Sequence, residues 1–313
     1  AQADEPMESI ESFVARAAAW LPANLDLADP TRMENGFGSD EEELANVAKM
    51  RATQRRLYDA GFAGICFPKE YGGLGLPPAY QRAFNEVCAP YDMPTLINVP
   101  TFVPCGAVLL EFGTEAQKKT HIPAMLKGEE LWMQFLSEPS GGSDVAGAMT
   151  TAVRDGDEWV LNGSKVWTTG AWWSDYGLCL VRTNWEVPKH RGLSVFIIKI
   201  RQPDIEVQRI EMINGSREFC QEFMTDLRIP DSLRVGAVDD GWTVGRRWMF
   251  YERSAMGGGS PFTSGKAPGH GASTTGRDHL LELARETGQL DDPLTQDLVG
   301  EARMLRRVAG ELS

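Results

Sequence analysis

Two segments of the sequence carry residue types that suit a flat, phosphorylated ligand. The first reads SEPSGGSD over 137–144. Its paired glycines let backbone N–H groups approach phosphate oxygens closely, and its serines add hydroxyl donors. In the second, NGSKVWTTGAWW over 162–173, Trp167 and Thr169 are two residues apart. On a strand both face the same side, where an indole can stack on a heteroaromatic ring and a hydroxyl can hydrogen-bond to it.

A third segment, FYERSAMGG over 250–258, offers a candidate base. Glu252 follows the apolar residues Trp248 and Met249, which exclude water if they are buried. Burial raises the pKa of a carboxyl group by disfavouring its charged form, while the adjacent Arg253 lowers it again. A carboxylate with such a balance can remove a proton from a carbon next to a carbonyl group. We therefore predict that Glu252 is a general base.

Each segment also has a purely structural interpretation. A loop rich in glycine and serine can simply turn the chain, and Trp167 can fill a hydrophobic core. Glu252 and Arg253 can form a surface pair at the end of an apolar helix. Taken singly, the segments leave these alternatives open.

In combination, the three segments resemble the acyl-CoA dehydrogenases in order and spacing. The resemblance covers the chain from about residue 40 to residue 256. Four further stretches look like landmarks of that family: FPKEYGGLG at 67–75, FGTEAQKKTHIPAMLKGE at 112–129, PKHRGLSVFII at 188–198 and DGW at 240–242. The combination is highly specific, although each piece alone is not.

The resemblance implies an α+β fold of the acyl-CoA dehydrogenase type with three regions. A helical N-terminal domain would cover residues 1–131, and a central antiparallel β domain with the flavin site would cover 132–236. The start of a C-terminal helical bundle would cover 237–313.

The resemblance also implies FAD as the cofactor. Ser137 would bond the pyrimidine end of the isoalloxazine, Trp167 would cover its ring, and Thr169 would touch N5, the atom that accepts hydride. Ser143 would also face the CoA moiety. The dipeptide at 134–135 departs from the family, which more often has an aromatic residue followed by a small one there. The implied cofactor-binding set is Gln134, Phe135, Leu136, Ser137, Gly142, Ser143, Trp167, Thr168 and Thr169.

The implied reaction is the α,β-dehydrogenation of an acyl-CoA thioester in lipid or fatty acid metabolism. Glu252 would take the α-proton, the β-hydride would pass to flavin N5, and Arg253 with Ser143 would contact the substrate. Family members carry the base either immediately before an arginine on the helix that opens the C-terminal bundle, as here, or near the far C-terminus. The resemblance further implies an electron-transferring flavoprotein or similar acceptor, and a homo- or hetero-oligomer (dimer or tetramer).

Two other functions are compatible with the sequence. One is a flavin monooxygenase or oxidase on the same fold, which needs no base for an α-proton. The other is a non-catalytic subunit of a hetero-oligomeric dehydrogenase. The second function is compatible because two stretches expected in the bundle are absent from this sequence. They are an Arg-x-x-Phe-Gly stretch and a later Gly-Gly-rich stretch.

Helices and short strands are expected to position these segments. Ser39 before the acidic residues 40–43 is a strong helix start, and Thr114 is a second candidate cap. Asp155-Gly156 and Asn162-Gly163 predict hairpin turns. Runs rich in β-branched and aromatic residues predict a compact antiparallel β domain or barrel. They cover 150–153, 158–162, 165–169, 177–182, 193–200, 205–210 and 221–227.

After Pro230, helical periodicity returns over 242–256, 278–287 and 293–312. The stretch 257–277 is rich in Gly, Ser, Thr and Pro and is predicted to be a mobile surface loop. The last helix has apolar residues with nothing after it in the sequence to pack on them. We therefore expect the natural protein to continue further and the isolated chain to depend on association.

Composition narrows the possible partners. The net charge of −13 disfavours nucleic acid and anionic membrane surfaces, and no run approaches the ~20 consecutive apolar residues of a membrane span. Five scattered cysteines predict reduced thiols and a cytoplasmic protein. Four histidines without ligand spacing predict no metal site.

Overall fold

The computed structural model describes residues 7–29, 39–256, 260–265 and 279–312. Along the chain it shows helices, then a β-sheet, and then a final pair of helices. The chain forms two compact units, Ala1–Pro268 and Gly269–Ser313. All the candidate site residues lie in the first unit.

Helices fill the N-terminal part of the first unit, as the sequence predicts. They are α1 (Ile10–Asn24), α2 (Asp40–Asp59), α3 (Pro78–Cys88), α4 (Thr95–Pro100), α5 (Ala107–Phe112) and α6 (Glu115–Leu126). Ser39 caps α2 in a capping box with Glu42, which satisfies N–H groups that the first turn leaves free. Thr114 caps α6 in the same way with Gln117. Both predicted caps are confirmed.

A π-helical turn over Thr101–Gly106 joins α4 to α5. The resulting 18-residue run, Thr95–Phe112, has a mean hydropathy of 1.5 and is apolar enough to cross a membrane by length and composition. However, 67% of it is buried inside the protein, and Val103 and Cys105 have no exposed surface. Burial of this extent is typical of a core helix.

Eight strands of the described chain form one sheet. They are β1 (Trp132–Phe135), β2 (Thr151–Asp155), β3 (Glu158–Thr169), β4 (Tyr176–Arg182), β5 (Leu193–Lys199), β6 (Ile205–Arg209), β7 (Phe219–Pro230) and β8 (Arg234–Val235). Their order is β6-β7-β3-β2-β4-β5-β8, and β1 pairs with β4. Most pairings are antiparallel, but β4 runs parallel to β1 and to β2. Local turn signals do not reveal these two parallel contacts.

One of the two predicted hairpin turns is present. Asp155-Gly156 joins β2 to β3, which pair antiparallel. The predicted turn at Asn162-Gly163 is wrong, because these residues lie inside β3. The pairing of β3 with β7 instead shifts register between Leu161 and Gly163. At this shift β7, not β3, has the extra residue between the paired positions. Gly163 itself has φ 145°, a conformation that favours glycine.

Helix α7 (Gly241–Met256) packs on β5, α5 and the π-helical turn. The described residues after it, 260–265, also pack on the first unit. Phe262 meets Phe67 edge to face, with 5.0 Å between ring centroids. This part of the predicted mobile loop 257–277 is therefore held in place, and the rest of that loop lies outside the described residues.

The second unit contains α8 (His279–Glu286) and α9 (Pro293–Leu312). Asp292 caps α9, since its Oδ2 accepts a hydrogen bond from the N–H of Thr295 at 2.8 Å. Both helices expose apolar side chains, as the sequence predicts for the last one. These are Leu280, Leu283, Leu294, Leu298, Met304, Leu305 and Val308.

Candidate active site

The two predicted ligand-binding segments lie side by side. The N–H of Val166 donates to the carbonyl oxygen of Ser137 at 2.9 Å, which joins β3 to the loop that follows β1. Trp167, the next residue, therefore stands beside the loop rich in glycine and serine. Two segments that are separate in the sequence form one surface.

A tight turn shapes the loop between Ser137 and Ser143. Glu138 and Gly141 exchange backbone hydrogen bonds of 3.0 Å, and Gly142 and Ser143 after them are exposed. A Cβ atom at Gly142 would lie 3.6 Å from Ser137 Oγ, so glycine leaves the approach to this hydroxyl open. The loop offers hydroxyl and backbone groups that a phosphate or amide group can reach.

A buried ion pair supports the loop on its inner side. The carboxylate of Glu138 accepts a hydrogen bond from Lys165 Nζ at 2.8 Å. It also accepts from the backbone N–H groups of Met149 and Thr150 at 2.6 and 3.0 Å. Lys165 is fully buried and donates to the carbonyl oxygen of Leu136 at 3.1 Å. Burial by itself raises the pKa of Glu138, but the charge and hydrogen bond of Lys165 outweigh it and lower the pKa below its usual value.

Trp167 is turned outward by a β-bulge. The pairing of β3 with β7 shifts between Val166 and Thr168, and Trp167 has φ 66°, a left-handed conformation that is uncommon for an aromatic residue. Its side chain is 54% exposed and meets Phe219 edge to face at 5.8 Å. The interpretation of Trp167 as a core residue is therefore wrong. Strained residues of this kind cluster at functional sites.

Two members of the predicted flavin-binding set turn their side chains away from this surface. Phe135 is fully buried in the core, and Thr168 is buried with its hydroxyl toward Glu222. Leu136 is partly buried against the core. Strand alternation places Trp167 and Thr169 on one side and Thr168 on the other, and the buried side chain of Thr168 agrees with it. Thr168 was in the predicted set only through the family resemblance. Phe135 and Thr168 can contact a ligand on the exposed surface only through their backbones.

Gln134 connects the loop to the candidate base on α7. Its Oε1 accepts a hydrogen bond from Trp248 Nε1 at 2.5 Å, and its side chain also hydrogen-bonds the carboxyl group of Glu252. Burial raises the pKa of Glu252 above its usual value, while the Gln134 hydrogen bond and the charge of Arg253 act against the rise. The carboxyl group also adds to the raised pKa of Cys105, which is due first to burial. Glu252 is thus partly buried and close to both Gln134 and Cys105.

The two predicted substrate contacts, Ser143 and Arg253, are both exposed. Next to Ser143, Asp144 forms a salt bridge of 2.8 Å with Lys189. Both side chains of this pair are about half exposed, so it differs sharply from the buried pair on the inner side of the loop.

Three buried ionisable residues beside the candidate site were not predicted from the sequence: Glu138, Lys165 and Glu222. A partial signal existed for two of them, since Glu138 adjoins Ser137 and Lys165 stands two residues before Trp167. Their pairing spans 27 positions, and local periodicity carries no information about contacts at that separation.

Two family models match the chain. That of the acyl-CoA dehydrogenase N-terminal domain covers residues 39–129, and that of the acyl-CoA dehydrogenase middle domain covers residues 134–226. The second range contains the loop after β1, all of β3 and Glu222.

Curated relatives are similar over most of the chain. The acyl-CoA dehydrogenase IpdE1 of Mycobacterium tuberculosis is 36% identical over 304 residues, which are 95% of this chain and 74% of the relative. The acyl-CoA dehydrogenase FadE29 of the same organism is 36% identical over 214 residues, which are 68% of this chain and 55% of the relative.

Solved structures share the fold. One described as the Tcur3481-Tcur3483 steroid ACAD is 27% identical with a TM-score of 0.68, and the match covers 97% of this chain and 74% of that one. A glutaryl-coenzyme A dehydrogenase complex with glutaryl-CoA is 23% identical with a TM-score of 0.66, covering 99% of this chain and 76% of that one. The predicted order of N-terminal helices, central β domain and further helices is confirmed.

Proposed function

This chain belongs to the acyl-CoA dehydrogenase family of FAD-dependent oxidoreductases, and we propose that it uses Glu252 to remove the α-proton of its acyl-CoA substrate. Membership makes the protein a flavoprotein enzyme of lipid metabolism that dehydrogenates acyl-CoA thioesters. The identity of the base and of the acyl group is the proposal.

One contact supports the role of Glu252: its carboxyl group is hydrogen-bonded by the side chain of Gln134. Gln134 lies in β1, directly before the loop that adjoins Trp167, so it holds the carboxyl group beside the proposed flavin surface. A general base must be within hydrogen-bond reach of the proton that it removes. A base fixed at this loop can act on a substrate bound against the same surface.

The surroundings of Glu252 suit proton abstraction. Burial raises its pKa, which makes the ionised carboxylate a stronger base. The hydrogen bond from Gln134 and the charge of Arg253 favour the ionised form and limit this rise. Accepting the α-proton neutralises the carboxylate, and burial favours that change.

The loop and β3 fit FAD. Trp167 exposes an indole for a flat ring system, Ser137 and Ser143 offer hydroxyl groups, and Gly142 leaves the backbone open. Thr169, partly exposed at the end of β3, is the proposed partner of flavin N5. When bound, FAD supplies the hydride acceptor of the reaction.

We propose that the substrate is held in part by Ser143 and Arg253, which are both exposed near the site elements. For the acyl group we propose a bulky, steroid-derived chain. This rests on the 27% identity to a solved structure that is described as a steroid ACAD.

The proposed reaction is tested by anaerobic titration of the FAD-loaded protein with a panel of acyl-CoA esters. The panel runs from short straight chains to steroid-derived thioesters, and free CoA is the control. We expect at least one ester to bleach the oxidised flavin, with the steroid-derived ones most effective. A flavin that no ester bleaches, but that reacts rapidly with oxygen after chemical reduction, would favour a monooxygenase or oxidase instead.

We further propose that the protein is oligomeric and passes electrons to an electron-transferring flavoprotein. A solved structure described as the electron transferring flavoprotein of Acidaminococcus fermentans is 27% identical with a TM-score of 0.61. The exposed apolar side chains of α8 and α9 favour association. Light scattering that shows a stable, fully active monomer would contradict the oligomer.

We propose a cytoplasmic location, because all five cysteines are free and free thiols persist in reducing compartments. Fractionation of producing cells should recover the protein with cytoplasmic markers. Recovery with extracytoplasmic markers would contradict the proposal.

A further inference from the structure

A buried carboxyl group that the proposed reaction does not use lies behind the Trp167 bulge. Glu222 occupies a core-facing position of β7 between Cys220 and Met224, and it has no exposed surface. Its Oε2 lies 3.0 Å from Thr168 Oγ1, and its Oε1 has no hydrogen-bond partner among the described residues. A buried polar group in such a position calls for a physical reason.

We propose that Glu222 is a positioning residue of the flavin site, which holds the Trp167 bulge in place through Thr168. Thr168 stands between Trp167 and Thr169, the two residues assigned to the flavin ring. An anchor on its side chain therefore fixes the orientation of both neighbours. The inference rests on the flavin surface described above and concerns how that surface is held.

Only the protonated form of Glu222 lets the Thr168 hydroxyl hydrogen-bond to both of its neighbours. The Thr168 hydroxyl lies 3.0 Å from Glu222 Oε2 and 3.4 Å from the backbone oxygen of Gln134. It has one proton, so it can donate to only one of them. A protonated Glu222 donates to Thr168, and Thr168 then donates to Gln134. The neutral acid thus completes a chain of hydrogen bonds from β7 through β3 to β1, whose last member also holds Glu252.

The groups on the side of β3 and β4 leave Glu222 neutral. Burial raises the pKa of Glu222 to about 8, against the opposing effects of the Thr168 hydrogen bond and the Lys165 charge. Lys165 is bound to Glu138 at 2.8 Å, which offsets its charge. Cys179 on β4 stays a neutral thiol, because burial raises its pKa to about 12.

The groups on the side of β6 and β7 also leave Glu222 in its neutral form. Burial raises the pKa of Cys220 to about 11, so it is neutral as well. Arg209 is bound to the carboxylates of Asp40 and Glu43 at 2.5 Å. Its charge is therefore shared with those two groups.

Two variants of Glu222 test the proposal. Glu222→Leu removes the hydrogen bond, and we expect it to raise the Kd for FAD about tenfold, the effect of one buried hydrogen bond. Glu222→Gln keeps a donor for Thr168 and should stay within about twofold of the wild type. Glu206→Leu, at an exposed position of the neighbouring strand β6, is the matched control and should leave the Kd unchanged. The Kd is measured by ultrafiltration of apoprotein with added FAD.

The pH dependence distinguishes positioning from a merely structural role. The pKa of Glu222 is about 8 in the folded protein and 4.5 ordinarily, so over that interval the folded chain keeps a proton that the unfolded chain has lost. The stability of the wild type relative to Glu222→Gln therefore falls as pH rises through this interval. As Glu222 ionises near pH 8, the Kd of the wild type should rise, whereas Glu222→Gln lacks this component. The Kd of the wild type divided by the Kd of Glu222→Gln should be larger at about pH 9 than at about pH 6.

Two results would overturn the proposal: a folded Glu222→Leu that binds FAD as tightly as the wild type, or a Kd ratio between wild type and Glu222→Gln that does not change with pH. If Glu222→Leu does not fold, the pH comparison with Glu222→Gln decides alone. None of these measurements needs turnover. Failure of every acyl-CoA ester to bleach the flavin would overturn the proposed reaction and leave this test intact.

Discussion

The regions around Glu138 and Glu252 each enclose a carboxyl group next to the same loop, yet the pKa values of the two groups shift in opposite directions. Glu138 accepts three hydrogen bonds, one of them from the buried charge of Lys165, and its pKa is lowered. Glu252 has one amide partner and a neighbouring charge, and burial raises its pKa. A carboxylate that must stay ionised to hold a loop is surrounded by donors. A carboxylate that must accept a proton has fewer.

The largest effect is expected when the buried ion pair of Glu138 and Lys165 is broken. Lys165→Met leaves the Glu138 carboxylate buried without its cation, and we expect a loss of about 3–5 kcal/mol in the free energy of unfolding. Urea unfolding of the FAD-free protein measures it. Adding Glu138→Gln to the same chain should restore part of the loss, because the remaining charge is then removed as well.

Lys189→Met is the matched control for that experiment. It breaks the pair with Asp144, whose two side chains are about half exposed, and exposed pairs contribute about 0–1 kcal/mol. Equal losses for Lys165→Met and Lys189→Met would show that burial of the pair does not matter.

Glu252→Gln tests the role of Glu252 as the base. The amide keeps the shape of the side chain but cannot accept the α-proton, so flavin reduction by acyl-CoA should slow at least ~100-fold, the low end of general-base contributions. Stopped-flow bleaching measures the rate, and binding of FAD and acyl-CoA should persist. Glu206→Gln, at an exposed position, should reduce its flavin normally. A near-normal rate in Glu252→Gln would assign the base to another residue or to a partner chain.

Trp167→Ala tests whether the loop supported by Glu138 serves the cofactor. We expect FAD binding to weaken by about 1–3 kcal/mol through lost stacking, by analogy with base–aromatic contacts. Trp185→Ala removes a tryptophan that is equally exposed, at 54%, and should leave FAD binding unchanged. If both variants retain FAD equally, Trp167 does not stack on the flavin.

The smallest effect is a separation of two pH dependences. The rate of flavin reduction should rise with pH through the raised pKa of Glu252, since the ionised form is the base. The stability contributed by Glu138 is present above its unfolded pKa and is lost as pH falls through its lowered folded pKa. There should be a pH interval between the two folded pKa values in which the protein is folded but reduces its flavin slowly. Loss of rate and of structure at one common pH would contradict the contrast.

Local signals predicted much of the fold. Ser39 and Thr114 are followed by residues that complete capping boxes, and Asp155-Gly156 is a true hairpin turn. The same rules failed inside β3, where Asn162-Gly163 lies within the strand and Trp167 is an extra residue. The bulge at Trp167 breaks the period of two within β3. Alternation counted from the buried residues Trp159, Leu161 and Lys165 would therefore have placed Trp167 in the core.

The supporting residues of the site could be predicted even less. Lys165 meets Glu138 across 27 positions, and Thr168 meets Glu222 across 54. Such contacts depend on which strands become neighbours, and the pairing of β3 with β7 leaves no local trace in the sequence. The motif residues were found because they resemble a family, whereas Glu222 became visible only when the strands were placed.

The outward position of Trp167 also has an optical consequence. An indole in contact with water emits at longer wavelengths than one in a protein core, and Trp132, Trp173 and Trp248 are almost fully enclosed. Trp20, Trp172 and Trp242 are partly exposed, and Trp167 and Trp185 are the most exposed of the nine tryptophans. Excitation at the red edge of the absorption band therefore favours Trp167 and Trp185. With Trp185 replaced by Phe, Trp167 is the most exposed indole that remains. The part of the red-shifted emission that is lost in Trp167→Phe then serves as an intrinsic probe of the flavin surface, because a stacked flavin absorbs in that range and quenches it by energy transfer.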